Sequence, residues 1–429
     1  MGKIPSEGQG YHQSSQTGIH VESGLERVGS DGYRGDFVRV VAKFGGTSLG
    51  SGDRIARAAD SIEAAVANGH EIAVVASAMG STTDELIDDI TFQASDADRA
   101  EIVSMGERTS VRMVKAALTA RGVDATFVEP GDPEWPVVTD EYGEVDVSAT
   151  QERTEALVST LDETVPVITG FLAEGPDGAV STLGRGGSDT TAVMLGSYMD
   201  ADEVVIVTDV EGVMTGDPHA VEGARNVGEI SVDELRNLSF RGAEVVAPSA
   251  LSYKDEALDV RVVHYQHGDL LTGGTTIEGT FENLIDLRER PLACLTVAGR
   301  SIRNESGVFQ SLAGALGDAD INIDVAASGL DSITLYVDAE EAGRAENILH
   351  QQVIERPEVA SVTVDEPLAI IRLTGGELPT QPGVIHEIVD PFAEERIQIH
   401  DLVTSATSVA IVVAWSDRER SLELVQDLF

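Results

Sequence analysis

At 429 residues with 42% hydrophobic content, the chain can bury more than one core, and two or three domains are expected. Asp and Glu total 74 against 29 Lys and Arg, a net charge of −45 that disfavours nucleic acid and anionic membranes as partners. The single cysteine, Cys294, excludes an internal disulfide and a cysteine-built zinc cage, and no apolar run reaches the length of a membrane span.

The acid excess is spread over every segment, which suits a halophile's cytoplasm, where high salt screens self-repulsion. A cytoplasmic protein is expected. Residues 1–36 are rich in Gly, Ser, Gln and His and read as a disordered extension or an early start codon, although Met1 to Ser6 match a myristoylation pattern.

From Val38 to about Ile285 short apolar runs alternate with longer helical stretches, the pattern of a mostly parallel sheet sandwiched by helices in an α/β domain over 37–287. The first strand, Val38 to Phe44, carries Lys43 and stops at Gly45-Gly46, ahead of Thr47-Ser48. Paired glycines let backbone amides approach a phosphate, and a lysine supplies a point charge; a plain turn has the same appearance, and no P-loop motif occurs. Further strands are expected at 71–77, 125–128, 165–171, 203–209 and 260–263, and a helix at 100–120 with Ile102, Met105, Val111 and Val114 on one side.

In such sheets ligands bind beyond the carboxyl ends of the strands, so the segment after each strand supplies candidates. These are Ser77 to Asp84, with Thr83; Ser104-Met-Gly106-Glu107, where a glycine inside a helix marks close approach; and the rim from Thr208-Asp209 through Met214 to His219. The most specific local signal is Thr182-Leu-Gly184-Arg185-Gly186-Gly187-Ser188-Asp189, which offers backbone donors, a helix cap and an arginine fork for a carboxylate, or simply a capped loop with a solvated arginine. His264 to Asp269 holds metal-compatible residues but reads as a loop, and Trp135 and Trp415 as packing residues; Cys294 reads as a buried thiol.

Taken together, Lys-Phe-Gly-Gly-Thr-Ser, Ser-Met-Gly-Glu-Arg-Thr-Ser, Thr-Leu-Gly-Arg-Gly-Gly-Ser-Asp and Thr-Asp-Val-Glu-Gly-Val resemble the aspartate kinases of the amino-acid kinase family, over Val38 to Phe429. The resemblance implies transfer of a phosphoryl group from ATP, with Mg²⁺, to the β-carboxylate of L-aspartate. By it, Lys43 and Asp209 would be catalytic. Lys43, Phe44, Gly45, Gly46, Ser77, Thr208, Asp209, Met214 and His219 would hold ATP, and Thr47, Thr83, Glu107, Arg185, Gly186, Gly187 and Ser188 the amino acid. Met214 and His219 stand where relatives usually carry Tyr and Arg, and Glu244 where they often carry Lys. Loss of that positive charge weakens phosphate contacts. Another member of the family, or a non-catalytic amino-acid sensor, are the competing readings.

The C-terminal part contains a repeat: Pro291 to Asp324 aligns without gaps on Pro367 to His400, pairing Gly299 with Gly375, Gly307 with Gly383 and Ile323 with Ile399. Each copy reads strand, loop, helix opened by Gly-Val, strand, strand, helix, and resembles the ferredoxin-like ACT module, so ACT domains are expected at 290–366 and 367–429. The second copy ends without a last strand; either it is incomplete or the two share strands. By resemblance, Ser306, Gly307, Val308, Asn322 and Ile323, with Gly383 and Val384, would bind lysine or threonine as effector in a homodimer or higher oligomer, the alternative being modules that only dimerise the chain.

Overall fold

A computed structural model describes residues 37–218, 220–239, 245–280, 284–300, 302, 305–375, 383–405 and 407–428. His219, Glu244 and the extension at 1–36 lie outside the described residues.

In chain order the first part comprises β1 (Arg39–Phe44), α1 (Gly52–Ala67), β2 (Glu71–Ala76), α2 (Thr82–Asp89), α3 (Asp96–Thr119), β3 (Ala125–Val128), α4 (Val147–Val158), β4 (Val165–Thr169), β5 (Leu172–Glu174), β6 (Val180–Thr182), α5 (Gly187–Tyr198), β7 (Glu203–Thr208), β8 (Glu229–Ser231), α6 (Val232–Ser239), α7 (Pro248–Leu251), β9 (Asp259–His264) and β10 (Thr275–Glu278). Eight strands form one sheet in the order β3-β4-β2-β1-β7-β9-β10-β8; only the β9–β10 pairing is antiparallel. All the strands expected from the sequence are present. The short strands β5, β6, β8 and β10, three or four residues each, carry too little periodicity to be read locally.

Strand alternation sends Val40, Ala42 and Phe44 into the core under α1 and α3, and Val41 into the core under α5. Lys43 therefore emerges on the α5 side. Because β1 lies between β2 and β7, the chain reverses its direction of winding there, and the crevice beyond those carboxyl ends is the natural ligand site.

The long helix α3 departs from expectation. Its buried face is Val103, Ser104, Gly106, Glu107, Ser110, Val111, Val114 and Leu118, whereas Met105 is exposed. The helix turns Gly106, not Met105, inward because α3 sits so close that a Cβ at 106 would lie 2.8 Å from the Cβ of Ala78.

The second part comprises β11 (Leu284–Leu287), β12 (Leu292–Ala298), α8 (Val308–Gly317), β13 (Val325–Ser328), β14 (Ser332–Asp338), α9 (Ala342–Glu355), β15 (Ser361–Thr374), α10 (Val384–Glu394), β16 (Ile399–Thr404), β17 (Ser408–Ala414) and α11 (Arg418–Gln426). Both repeat copies have the expected element order, with α8 and α10 opened by the left-handed Gly307 (φ 83°) and Gly383 (φ 102°).

β15 is one strand used twice. Its first half pairs with β12 as the last strand of copy one, and its second half pairs with β17 as the first strand of copy two. The missing strand of copy two is β11, which runs antiparallel to Ile371–Thr374. Thus the copies share strands, and a domain boundary after 287 separates β11 from the sheet it belongs to. Leu292, Tyr336, Leu368, Ile370, Ala410 and Val412 bury one another between the halves of the sheet, and the Tyr336 hydroxyl donates to Asp401 Oδ2 at 2.8 Å. Cys294 borders this cluster half-buried rather than fully enclosed, and burial raises its thiol pKa.

Candidate functional site

β1 delivers Lys43 to the crevice and then turns. The Gly45 amide donates to Val207 O at 3.2 Å, which joins the turn to β7. That amide is occupied, so it is not a phosphate donor as the sequence suggests. The next amides, of Gly46, Thr47 and Ser48, find no acceptor among the described residues, and they open a single 3₁₀ turn at Thr47–Leu49. Gly46 has an ordinary φ of −56°, so its need for glycine is spatial: a Cβ would lie 2.7 Å from Gly80 O and 2.9 Å from Ala78 O. Gly80 N in turn donates to Gly46 O at 2.8 Å, and the Ser48 hydroxyl to Val207 O at 3.0 Å.

Lys43 Nζ lies 2.6 Å from Asp189 Oδ1, with both side chains largely buried. Asp189 occupies the first turn of α5, and its other oxygen accepts from the Ala247 amide at 3.1 Å. The sequence pattern puts the helix cap at Ser188-Asp189. The cap is instead Gly186, left-handed at φ 76°, which carries Ser188 and Asp189 into the first turn. The pairing of Asp189 with Lys43 is not legible in the sequence; the available signal is the position of Asp189 just past the glycines, at the helix end where a carboxylate is favoured.

Glu107 forms the opposite wall. It is 2% exposed, and one carboxylate oxygen accepts from Ala78 N and from the Thr83 hydroxyl, each at 3.3 Å. The other oxygen is buried with no partner among the described residues. Burial outweighs these hydrogen bonds and pushes its pKa up to about 7. A cation entering here would meet a carboxylate already stripped of water.

Arg185 stands between Gly184 and Gly186, both at positive φ, and is exposed, without an ion pair among the described residues. Gly187 packs so tightly that a Cβ would lie 3.1 Å from Phe171 Cα, while Ser188 lies over Gly170, whose Cβ would sit 2.6 Å from its hydroxyl oxygen. Phe171 itself has φ 67° in a tight turn closed by Leu172 N to Gly170 O at 2.7 Å. Such a conformation is strained for a bulky residue and points to a constrained site wall.

These residues line one cleft of about 430 Å³, which gathers Lys43, Gly46, Ser77, Thr83, Glu107, Arg185, Gly186, Gly187 and Ser188 from the sequence candidates. It also includes Gly80, Asp84, Phe171 and Thr182, to which the sequence pattern assigns no role of their own, and Asp189, which the pattern offers only as a helix cap. Thr208 ends β7 and Asp209 follows it, beside the phosphate turn but outside this cleft, with the Thr208 hydroxyl 3.4 Å from Asp209 Oδ1. Thr47 is exposed and contributes its carbonyl to Arg54, and Phe44 is buried in the core, so only its backbone borders the site. Met214 lies further along, bridged to Asn226. The cleft therefore pairs an anion-binding end, made of Lys43 and open amides, with an end that suits a zwitterion: a buried carboxylate and an open guanidinium.

The family model "Amino acid kinase family" matches residues 38–264, and an ACT domain model matches 295–353. Aspartokinase 2 of Bacillus subtilis (strain 168) is 31% identical over 91% of this chain and 97% of its own length, and the aspartokinase of Geobacillus stearothermophilus is 30% identical over 91% and 96%. Among solved structures, aspartate kinase from Synechocystis superposes with a TM-score of 0.75 at 25% identity, covering 91% of this chain and 68% of that one. E. coli aspartokinase III in complex with aspartate and ADP (R-state) gives 0.51 at 26% identity over 91% and 99%, and the same enzyme in complex with lysine and aspartate (T-state) gives 0.50 at 25% over the same shares.

Proposed function

This chain belongs to the amino acid kinase family, and we infer that within it the chain is an aspartate kinase, moving the γ-phosphoryl group of ATP to the β-carboxylate of L-aspartate. The observation that carries this reading is Glu107, a buried carboxylate with one oxygen unpartnered among the described residues, facing a cleft whose other walls hold Lys43 and Arg185. Glu107 receives the substrate ammonium, helped by Thr83, and Arg185 grips a carboxylate in the fork that its glycines keep open. Gly186, Gly187 and Ser188 shape that entrance, and Thr47 borders it.

The chemistry needs no general base. A carboxylate with a pKa near 4 is already an ionised nucleophile at neutral pH, so the protein's work is to align it with the γ-phosphorus and offset charge. Lys43 and the Gly46 to Ser48 amides do this at the phosphate, and Asp189 holds the Lys43 ammonium at the mouth of α5 until the phosphate arrives. Thr208, Asp209, Ser77 and Met214 border the nucleotide. Mg²⁺ would accompany the nucleotide phosphates. It supplies charge neutralisation there.

The repeat adds regulation. We read both copies as ACT modules, with Ser306 to Val308, Asn322 and Ile323 in one and Gly383 and Val384 in the other binding lysine or threonine in an oligomer. Support comes from the equivalent left-handed glycines that open α8 and α10, and from the lysine complex of the E. coli relative. The acid excess fits an enzyme that works in high salt.

Steady-state turnover with ATP and aspartate at molar KCl, trapping the acyl phosphate with hydroxylamine, tests the reaction. Hydroxamate formed from aspartate is expected; product only from glutamate, or none at all, overturns it. Titrating lysine, threonine and methionine into the same assay tests regulation. No change in activity or melting temperature with any of them leaves the repeat as an assembly device.

A further inference from the structure

Glu107 works only if α3 presents it to the cleft at one rotation, and the structure contains a second anchor for that helix. One residue on, Arg108 Nη1 donates to Glu129 Oε1 at 2.9 Å; one turn further, Arg112 donates to both Glu129 oxygens, Nη1 at 2.5 Å and Nη2 at 2.9 Å. Glu129 follows β3, is 8% exposed, and is itself held in a turn by Asp132, which accepts from the Glu129 amide at 2.9 Å. Arg112 also lies against Phe127 of β3, 4.4 Å from the ring centre, and Arg108 Nε donates to Ser104 Oγ at 3.1 Å.

Stability alone does not explain such a cluster. Burial works against the charge of Glu129, although Arg112 and Arg108 hold its carboxyl below the usual value. Apolar side chains of equal volume commonly serve stability as well as a buried ion pair does. What the cluster adds is direction: a carboxylate shared by two arginines four residues apart has one good geometry. Gly106 against Ala78 sets how close α3 comes; the Glu129 clamp sets how far it is rotated. Between these two contacts lies Glu107.

We propose that Glu129, through Arg108 and Arg112, is a positioning residue for aspartate recognition, fixing the rotation of α3 so that the Glu107 carboxylate faces the substrate ammonium. This rests on the reading of Glu107 as the ammonium site. Glu129→Gln keeps the shape and removes the charge that both arginines share.

The test compares KM for aspartate and for MgATP in the parent, Glu129→Gln, Arg112→Lys, Glu107→Gln and the Glu129→Gln/Glu107→Gln double variant, each checked by near-ultraviolet circular dichroism and melting. Expected for Glu129→Gln is an aspartate KM raised about tenfold, with kcat and MgATP KM within about twofold. Arg112→Lys, which keeps the charge and loses the fork, falls between it and the parent. In the Glu107→Gln background, Glu129→Gln adds less than about twofold, because the group it positions is gone. A raised aspartate KM in Glu107→Gln beside an unchanged one in Glu129→Gln overturns the inference alone, as does a tenfold effect that persists in both backgrounds. An unchanged aspartate KM in Glu107→Gln overturns the ammonium reading and the inference with it.

Discussion

Lys43 and Glu107 show how single side chains acquire function from where a strand or helix leaves them. Lys43→Ala removes the ammonium beside the open amides while leaving the β1 core residues in place. It is expected to lower kcat by about 10² to 10³ with an unchanged far-ultraviolet spectrum; near-parental turnover in the hydroxamate assay would remove Lys43 from the mechanism. At Arg185 a point charge cannot reproduce a two-pronged contact. Arg185→Lys should raise the aspartate KM by about tenfold, about 1.4 kcal/mol, and an unchanged KM would place the substrate carboxylate elsewhere. Glu107 has a cost. Between its ordinary pKa of 4.5 and the folded value of about 7, the folded chain keeps a proton that the unfolded chain has released, so stability falls as pH rises through that window. Above it the penalty is complete, on the order of 3 kcal/mol in the free enzyme. Glu107→Gln is therefore expected to melt above the parent at pH 8 and to lose that advantage near pH 5, while binding aspartate worse. Differential scanning calorimetry at the two pH values decides it, and a variant less stable than the parent at both would contradict the burial argument.

Among elements, β11 is the one whose role changes most between chain and fold. In sequence it ends the first domain; in space it is the fourth strand of the second repeat copy, with Ile285 and Leu287 packed against the α10 and α11 core. A chain ending at Arg288 keeps this strand and removes its partner, which leaves an unpaired apolar edge. One ending at Gly279 removes both and leaves β10 complete. The shorter chain is expected to stay monodisperse in light scattering and the longer one to aggregate; the reverse would mean that β11 belongs with the first sheet.

For the whole molecule, charge is the governing quantity. With a formal charge of −45, the folded state brings carboxylates together that the unfolded chain keeps apart. Raising KCl from about 0.1 M to 1 M shortens the screening length from about 10 Å to about 3 Å. The melting temperature should rise steadily across that range and the aspartate KM change less. A melting temperature independent of salt would mean that local pairs such as Arg39 with Glu71 and Arg261 with Glu203 already neutralise the relevant charge.

Read alone, the sequence determined the alternating sheet, the strand ends that carry Lys43, Ser77 and Thr208, the glycine-rich entrance to α5, the Gly106 approach and the register of the repeat. All but the last are encoded by residues within a dozen positions of one another, through periodicity or steric freedom; the register of the repeat comes from similarity between Pro291–Asp324 and Pro367–His400. The tertiary structure alone decided that Asp189 pairs with Lys43, that Gly45 gives its amide to Val207, that Phe171 walls the cleft and that β11 completes the second copy. It also set the protonation of Glu107, since that depends on how completely Ala78, Thr83 and the surrounding core exclude water. These outcomes join segments far apart in the chain, and they depend on which strands become neighbours. Local pattern specifies what a strand can offer; the order of strands in the sheet specifies what it meets.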